Sequence, residues 1–297
     1  MNSELLPFGA GGLAFIGIYL ASLLLVGWFG YRARRENTMR DFFLAGRGIG
    51  FLALLLTLYA TQYSGNTLFG FTGKTYKIGY AWTSSLHFMT AIIIFYLLIA
   101  PKLHNLARRK GFITPTDYLQ DRFGSPWIAL IATIVMVVAI SNYLIGQMMA
   151  MGRALQGLST IDPAVAYVWG VIVLALIIIV YETLGGMRAV VWTDAIQGGI
   201  LIIGFGVLLF MVFRQFGPLE AAHVKLASEP SMAVKLMPPN GNACREWLSY
   251  ILMVGIGGAL YPQAIQRIYA ARSATSLRRS LAVMAFLPVM TTLVALV

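Results

Sequence analysis

Charge and cysteine are both scarce in this sequence, and each shortage excludes a class of protein. Only 11% of the 297 residues are charged, whereas soluble domains have about 25%, so the chain is predicted to lie mostly in lipid. The single cysteine, Cys244, can form no internal disulfide, and no metal-ligand spacing can be built around it. No apolar run holds paired acid and base groups, which argues against an intramembrane enzyme. We therefore predict no catalytic residue and no organic cofactor.

The remaining charge is strongly basic, with 22 Lys and Arg against 11 Asp and Glu. The basic residues form short clusters between apolar runs, which is typical of juxtamembrane anchors and not of a nucleic-acid surface. Apolar residues make up 59% of the chain, and the mean hydropathy is +0.76. The composition therefore predicts an all-α, polytopic membrane helix bundle that binds the lipid bilayer and no nucleic acid.

Eight apolar runs are long enough, at about 20 residues each, to span a bilayer as helices. They are 11–31, 49–71, 80–101, 127–151, 164–182, 190–213, 247–266 and a last run that begins near Ser280. The first run lacks the basic leader and cleavage site of a signal peptide. The last run reaches Val297 without a polar anchor, so we expect a truncated chain or a fragment.

The basic residues also predict an orientation, because cytoplasmic loops carry an excess of Lys and Arg. The loops 32–48, 102–126, 183–189 and 267–279 hold 15 of the 22 basic residues. This asymmetry predicts that those loops lie on the inner face of the cytoplasmic (inner) membrane and that the N-terminus lies on its outer face.

Small and polar residues interrupt the segment Leu52 to Gly73, which overlaps the second run, in its middle. They are Thr61, Gln62, Ser64, Gly65, Asn66 and Thr67. In hydrocarbon, a broken helix survives only where it lines a cavity or is buried in protein. Its free carbonyls and hydroxyls suit a hard cation such as Na⁺, and its amides suit a polar substrate. The alternative is that these residues only pack helices together.

A second break, in the seventh run, has the same character. Gly255, Gly257 and Gly258 precede Pro262, which deprives a carbonyl one turn earlier of its helical donor. Gly258, Tyr261 and Gln263 are candidate substrate contacts there. A proline kink with packing glycines and no ligand is an equally good interpretation.

The two breaks predict an internal organisation. We expect a single transporter domain, 1–297, in which an extra helix, 11–31, precedes a five-helix repeat at about 49–213. An outer loop at about 214–246 then leads to the start of a second repeat, 247–297. Beginning each half with a broken helix is what an inverted repeat predicts, and paired broken helices mark the binding site of secondary transporters.

Asp194 is the one carboxylate set a short way into an apolar run. An ionisable group at such a place is a functional candidate, although water and Arg188 could satisfy it near the inner interface. Glu182 and Arg188 are interpreted as interfacial anchors. No clear intramembrane arginine is predicted.

At these places the sequence resembles the sodium:solute symporter family. Gly185, Gly186, Met187, Arg188 and Ala189 fit the end of its signature, and Trp192, Thr193 and Asp194 follow in the family manner. DFFLAGRGIG (41–50), ATQYSGNTLFGFTGKTYKIG (60–79) and PQAIQRIYAARS (262–273) resemble the entry to the first broken helix, that helix, and the end of the second. The matches span nearly the whole chain in the right order.

The resemblance implies a LeuT-type inverted-repeat transporter fold, with an incomplete second repeat, and a sodium site. Its ligands would be the carbonyls of Ala60 and Tyr63, with Ser64 nearby, and Asp194 would lie along the sodium release route. Gln62 stands where some relatives have an aspartate. The later helix that donates hydroxyl ligands would lie beyond Val297.

Two functions remain as hypotheses. The first is a sodium-coupled symporter that imports a small organic solute, such as an amino acid or a monocarboxylate, by alternating access. The second is a symporter-like sensor that relays solute binding to an attached signalling domain. The first would place substrate and ion together between the two breaks.

Overall fold

The computed structural model describes residues 10–296, except for the side chains of residues 10, 13, 66, 222 and 296. This part of the chain is helical almost throughout, which confirms the all-α prediction. The α-helices are α1 Ala10–Arg32, α2 Met39–Leu44, α3 Phe51–Gln62, α4 Thr72–Ile78, α5 Ser84–Lys110, α6 Pro115–Phe123, α7 Pro126–Leu158, α8 Pro163–Phe216, α9 Leu219–Ser228, α10 Pro230–Ala233, α11 Gly241–Ala259, α12 Pro262–Ala270, α13 Ala274–Met284 and α14 Leu287–Leu296.

Within residues 10–296, five helical segments are long and apolar enough to cross a membrane, or six if the bent pair α11 and α12 counts as one span. The count of six is smaller than the eight predicted runs for two reasons. The shorter helix α3 stands apart from the segment Thr67–Lys110 that follows it, and α8 contains two predicted runs in one segment.

Gly186 divides the long helix α8. Its 54 residues would extend about 80 Å at 1.5 Å per residue, far more than the roughly 30 Å of a bilayer core. At Gly186 the backbone leaves the helical region, with φ 57° and ψ −152°. The two halves on either side correspond to the predicted runs 164–182 and 190–213.

The described residues form two compact units. The first unit contains the chain up to Gly48 together with Phe112–Thr193, and the second contains Ile49–Gly111 and the chain from Asp194 onward. This division follows packing, whereas the predicted repeats follow chain order. The repeats therefore stay a prediction.

In the first unit, α1 packs closely on the N-terminal half of α8. A Cβ on Gly27 would come within 2.8 Å of Tyr181, so only glycine permits this approach. Leu23, Tyr181 and Ala189, the last of them just beyond Gly186, form the buried core of the contact.

A buried ion pair joins α2 to α8 in the same unit. Arg188 donates to both carboxylate oxygens of Asp41, at 2.5 and 2.6 Å, and Asp41 is only 3% exposed. Arg188 is thus paired with Asp41 and not with Asp194. Ala45, Gly46 and Arg47 follow in the left-handed region, and the Arg47 side chain donates to the carbonyl of Phe112 at 2.8 Å. The DFFLAGR motif is therefore a structural element of this unit.

Acid is expected to destabilise the first unit through this pair. The hydrogen bonds from Arg188 lower the pKa of Asp41 below its ordinary value. The stabilisation is therefore complete above the unfolded-state pKa of about 3.9 and is lost as the pH falls through the lowered native value. Unfolding in detergent, followed against pH, checks this. Asp41→Asn should be less stable near neutral pH and should lack this acid-induced loss; an identical pH profile in the variant would contradict the assignment.

In the second unit, α5 is the central helix. It packs along α11, and its C-terminal half holds the end of α12 and the residues that follow it through two hydrogen bonds to backbone carbonyls. His104 Nδ1 lies 2.9 Å from the carbonyl of Ile268, and Arg108 donates to that of Arg272 at 2.9 Å. An isolated β-bridge between Ile49 and Ala271 closes the same end. These contacts fix both broken helices in one unit.

Candidate ion and substrate site

The first break lies between the end of α3 and a π-helical turn, Asn66–Phe71. Tyr63 is extended there, with φ −110° and ψ 120°. In a continuous α-helix, Ser64 N–H would donate to the Ala60 carbonyl and Thr67 N–H to that of Tyr63. Instead Ser64 N–H donates to Thr67 Oγ1 at 3.3 Å, and Thr67 N–H donates to the carbonyl of Ser64 at 2.9 Å. The carbonyls of Ala60 and Tyr63 therefore lose their helical donors.

The side chains at this break differ in exposure. Tyr63 is buried, its ring 4.5 Å from that of Tyr59, and Thr67 is buried too. Ser64 and Gly65 are half-buried. The side chain of Asn66, predicted to bind substrate, lies outside the described part of the chain.

A chain of hydrogen bonds joins the two breaks within the second unit. Gln62 Nε2 donates to the hydroxyl of Tyr96 at 3.0 Å, and that hydroxyl donates to the carbonyl of Gly258 at 2.6 Å. Tyr96 lies on α5 and is fully buried. Sequence reasoning missed Tyr96, although a tyrosine in the middle of an apolar run usually has a partner for its hydroxyl.

The second break bends α11 and α12 by 47°. Pro262 occupies the first turn of α12, where its missing N–H costs nothing. Tyr261, just before it, is 36% exposed. Gln263 Oε1 is buried and has no hydrogen-bond partner among the described residues. A Cβ on Gly258 would come within 2.8 Å of Ile92, so this glycine also serves packing.

Asp194 belongs to a largely buried polar cluster that the sequence did not reveal, which we call the Asp194 cluster: Thr57, Asp194 and Arg267. Arg267 donates to Asp194 Oδ2 at 2.6 Å and, through Nε, to the Thr57 hydroxyl at 2.7 Å. Thr57 in turn donates to the same Asp194 oxygen at 2.5 Å. Both bonds to Asp194 converge on Oδ2.

The cluster corrects two expectations. Arg267 is not part of an exposed inner loop at 267–279, because it lies in α12 and is only 6% exposed. The expected lack of an arginine within the apolar part of the chain was therefore wrong. Arg188 was a poor partner for Asp194 on geometry alone, since residues six apart lie on different faces of a helix whereas residues three or four apart are neighbours.

Comparison with known proteins shows which family the chain belongs to. A model of the sodium:solute symporter family matches residues 42–297. The chain belongs to the sodium:solute symporter family. The resemblance predicted from its motifs is confirmed.

Among individual relatives, the chain is 29% identical to the sodium/pantothenate symporter of Escherichia coli (strain K12), over 69% of this chain and 42% of that protein. It is 30% identical to the sodium-coupled monocarboxylate transporter 2 of Homo sapiens, over 65% of this chain and 30% of that protein. These alignments cover less than half the length of either relative.

A solved structure shares the fold. It is the substrate-bound, outward-open state of a Na⁺-coupled sialic acid symporter, with a TM-score of 0.78 and 21% identity over 97% of this chain and 60% of that one. The predicted LeuT-type transporter fold is thereby confirmed.

Proposed function

We propose that this chain forms the ion- and solute-binding part of a sodium-coupled symporter, which imports a small organic solute across the cytoplasmic membrane by alternating access. The observation that carries the proposal is the release of the Ala60 and Tyr63 carbonyls from helical pairing at the first break. Hard cations prefer oxygen ligands, and unwound backbone coordinates coupling ions in secondary transporters. Family membership supports Na⁺ as the ion.

In this proposal, Na⁺ binds the carbonyls of Ala60 and Tyr63 with the Ser64 hydroxyl nearby. The solute lies between the two breaks. Its proposed contacts are Gln62, Ser64, Gly65, Asn66 and Thr67 at the first break and Gly258, Tyr261 and Gln263 at the second. The unpaired Gln263 Oε1 supports this assignment, since a solute donor would satisfy it.

The hydrogen-bond chain from Gln62 through Tyr96 to Gly258 gives the solute a way to act on both broken helices. A solute that bonds to the Gln62 amide competes with the Tyr96 hydroxyl, whose other partner is the backbone of the second break. A ligand can shift a conformational equilibrium only by its difference in affinity for the two states. The competition between the solute and the Tyr96 hydroxyl for the Gln62 amide is one source of a difference in the solute's affinity for the two states.

Asp194 is proposed to lie on the sodium release route. Its Oδ2 already receives hydrogen bonds from Thr57 and Arg267, so its Oδ1 is the oxygen we assign to a passing cation. The nearby guanidinium would keep that contact brief, because it competes for the same carboxylate. Brief binding is what a release route requires.

The proposed solute is a small organic molecule, such as an amino acid or a monocarboxylate. The relatives named above are a pantothenate symporter and a monocarboxylate transporter, and the solved structure is of a sialic acid symporter. All three are transporters, so we propose transport and not solute sensing. The basic clusters in 32–48 and 102–126 support an outside N-terminus.

Uptake into proteoliposomes tests this function directly. The full reading frame that contains this chain is reconstituted, and a panel of amino acids and monocarboxylates is offered with an inward sodium gradient or with a matched proton gradient. We expect accumulation of at least one solute with the sodium gradient only. Accumulation driven equally by protons would contradict sodium coupling, and binding without accumulation would contradict transport.

Tyr96→Phe tests the link between the breaks. The variant removes one buried hydroxyl and leaves the Gly258 carbonyl and the Gln62 amide without this partner, which should cost about 1–3 kcal/mol of stability. The KM for the solute should change together with the thermal unfolding temperature. Tyr76→Phe, at a tyrosine that is 73% exposed, is the matched control and should change neither. Wild-type values in Tyr96→Phe would show that the link has no role.

A further inference from the structure

Charge is distributed very unevenly over the second unit. Its segments 49–111 and 247–297 contain no Asp or Glu. The donor bond from Arg108 to the carbonyl of Arg272, at 2.9 Å, holds the end of α5 beside the residues that lead into α13. Six exposed basic residues lie along these two stretches of chain, and we call them the basic rim: Arg108, Arg109, Lys110, Arg272, Arg278 and Arg279.

Basic residues of the first unit, by contrast, have partners within the protein. The Arg32 guanidinium lies 4.0 Å from the centroid of the Trp28 ring, and Arg40 pairs with Glu36 at 3.5 Å. Arg188 forms the buried ion pair with Asp41 described above. A basic residue in this chain is therefore not left unpaired merely because it lies between apolar runs.

Three arginines of the basic rim lack such partners. Arg272, Arg278 and Arg279 form no ion pair and no ring contact with any residue that the structure describes. Helix α13 also begins without an acidic residue in its first turn. Like charges repel one another at this spacing, and an anion from outside the protein relieves that repulsion.

The exposed face of α13 becomes apolar beyond these arginines. Arg279 and Val283 are four residues apart and share one face, and Phe286 follows about one turn later. Val283 is 43% exposed and Phe286 77% exposed, whereas Met284 is fully buried. The first six residues of α13, 274–279, rise about 8 Å, close to the roughly 5–8 Å of the polar layer on each side of a bilayer. The change from charged to apolar therefore matches the step from headgroups to hydrocarbon.

Helix α5 shows the same order on its own exposed face. Ile94 and Leu98 are 51% and 61% exposed, and the exposed Lys102 and Arg109 follow them toward the basic rim. Intervals of four, four and seven residues keep all four on one side of the helix. Two elements of the second unit thus combine an apolar stripe with a basic end.

We propose that the basic rim binds the headgroup of an anionic phospholipid. The phosphodiester oxygens accept hydrogen bonds from the guanidinium groups of Arg272, Arg278 and Arg279, and an acyl chain lies along Val283 and Phe286. Arginine suits phosphate oxygens because its donors form a planar fork. Basic sites at the membrane surface favour anionic lipids over zwitterionic ones, whose headgroups carry their own cation. A free phosphate would use the same guanidinium groups but would leave the apolar face uncovered.

Lipid titration of the full reading frame tests this site. The protein is purified in an uncharged detergent, and phosphatidylglycerol, phosphatidylcholine with the same acyl chains, or glycerol 1-phosphate is added. Native mass spectrometry counts bound lipid, and thermal unfolding measures stabilisation. We expect phosphatidylglycerol alone to stay bound and to raise the unfolding temperature. Equal effects of phosphatidylcholine, or equal effects of glycerol 1-phosphate, would overturn the lipid assignment. Failure to retain phosphatidylglycerol would show that another segment covers this face and would overturn it too.

A pair of double variants locates the site. Arg278→Gln with Arg279→Gln removes two exposed charges, so the phosphatidylglycerol concentration for half-maximal binding should rise about tenfold or more. Arg40→Gln with Arg122→Gln removes two exposed charges from the first unit and is the matched control. Both variants have the same net charge, so non-specific attraction to anionic micelles falls equally in each.

The control should change half-maximal binding less than twofold. An equal loss in both double variants would mean that only net charge matters, and wild-type binding in Arg278→Gln with Arg279→Gln would place the lipid elsewhere; either result overturns the proposal. Since the assay measures lipid binding and not uptake, its outcome leaves the sodium-coupled transport proposal to its own test.

Discussion

Arg267→Met is expected to destabilise the protein by about 3–5 kcal/mol and to abolish sodium-driven uptake. Removing one partner of a buried ion pair leaves the other charge uncompensated, and that loss is usually larger than the worth of the intact pair. Here the side chains of Arg267 and Asp194 are 8% and 15% exposed, so water replaces the lost guanidinium only in part. Chemical unfolding in detergent, compared with wild type, measures the effect.

The double variant Asp194→Asn with Arg267→Met distinguishes a structural role of the Asp194 cluster from a role in sodium coupling. It removes both charges, so most of the stability lost in the single variant should return. If Asp194 also handles Na⁺, the double variant folds but takes up solute without its normal dependence on sodium concentration. Recovery of both stability and sodium dependence would show that the Asp194 cluster is only structural.

The Asp41–Arg188 pair is the matched control for this experiment. It is also buried, and Arg188 makes two short hydrogen bonds to the carboxylate. Arg188→Met should therefore lower stability by a similar mechanism. Its remaining folded protein should keep the wild-type dependence of uptake on sodium concentration, because no proposed sodium ligand contacts this pair.

Gly186→Ala is expected to be the most disruptive single methyl addition in α8. The backbone there, at φ 57° and ψ −152°, lies close to a region that only glycine adopts readily. A Cβ would also meet the carbonyl oxygen of Phe42 at 2.7 Å and its ring at 2.9 Å. Strain of about 1–3 kcal/mol adds to this clash, so we expect a large loss of folded protein in detergent-solubilised preparations and a lower unfolding temperature.

Gly199→Ala is the matched control for Gly186→Ala in the same helix. A Cβ at Gly199 has no atom within 4 Å apart from its chain neighbours and the nearby backbone of its own helix, and alanine favours a helix over glycine by up to about 1 kcal/mol. The control should be neutral or slightly stabilising. Equal tolerance of both substitutions would mean that α8 does not need the turn at Gly186.

The sequence was most informative where polar residues interrupt apolar runs. Backbone left unpaired in lipid is expensive, so the residues around Gln62 and Pro262 predicted both breaks, and the structure has them at Tyr63–Gly65 and Leu260–Tyr261. Hydropathy could not show that the runs 164–182 and 190–213 belong to one long helical segment. How the chain connects these two runs depends on the backbone conformation of one residue, Gly186.

The partners of charged residues were not predictable in the same way. Asp194 was recognised as a candidate because an ionisable group in an apolar run is costly. Its partner, Arg267, lies 73 residues away and is brought to it by packing. Next to polar Gln263 and Gln266, Arg267 resembled the edge of a loop, and the buried Ile268 and Tyr269 that follow show that it is not. Tyr96 was overlooked because its role is visible only once α5 lies between the two breaks.

Solute-driven sodium movement tests the central claim most directly, because coupling must work in both directions. Proteoliposomes with the full reading frame are prepared with equal sodium on both sides and an inward gradient of the solute identified in the uptake panel, and radioactive sodium entry is measured. Our account predicts sodium entry that requires the solute and is lost in the Asp194→Asn, Arg267→Met double variant. Solute entry without any accompanying sodium would contradict it.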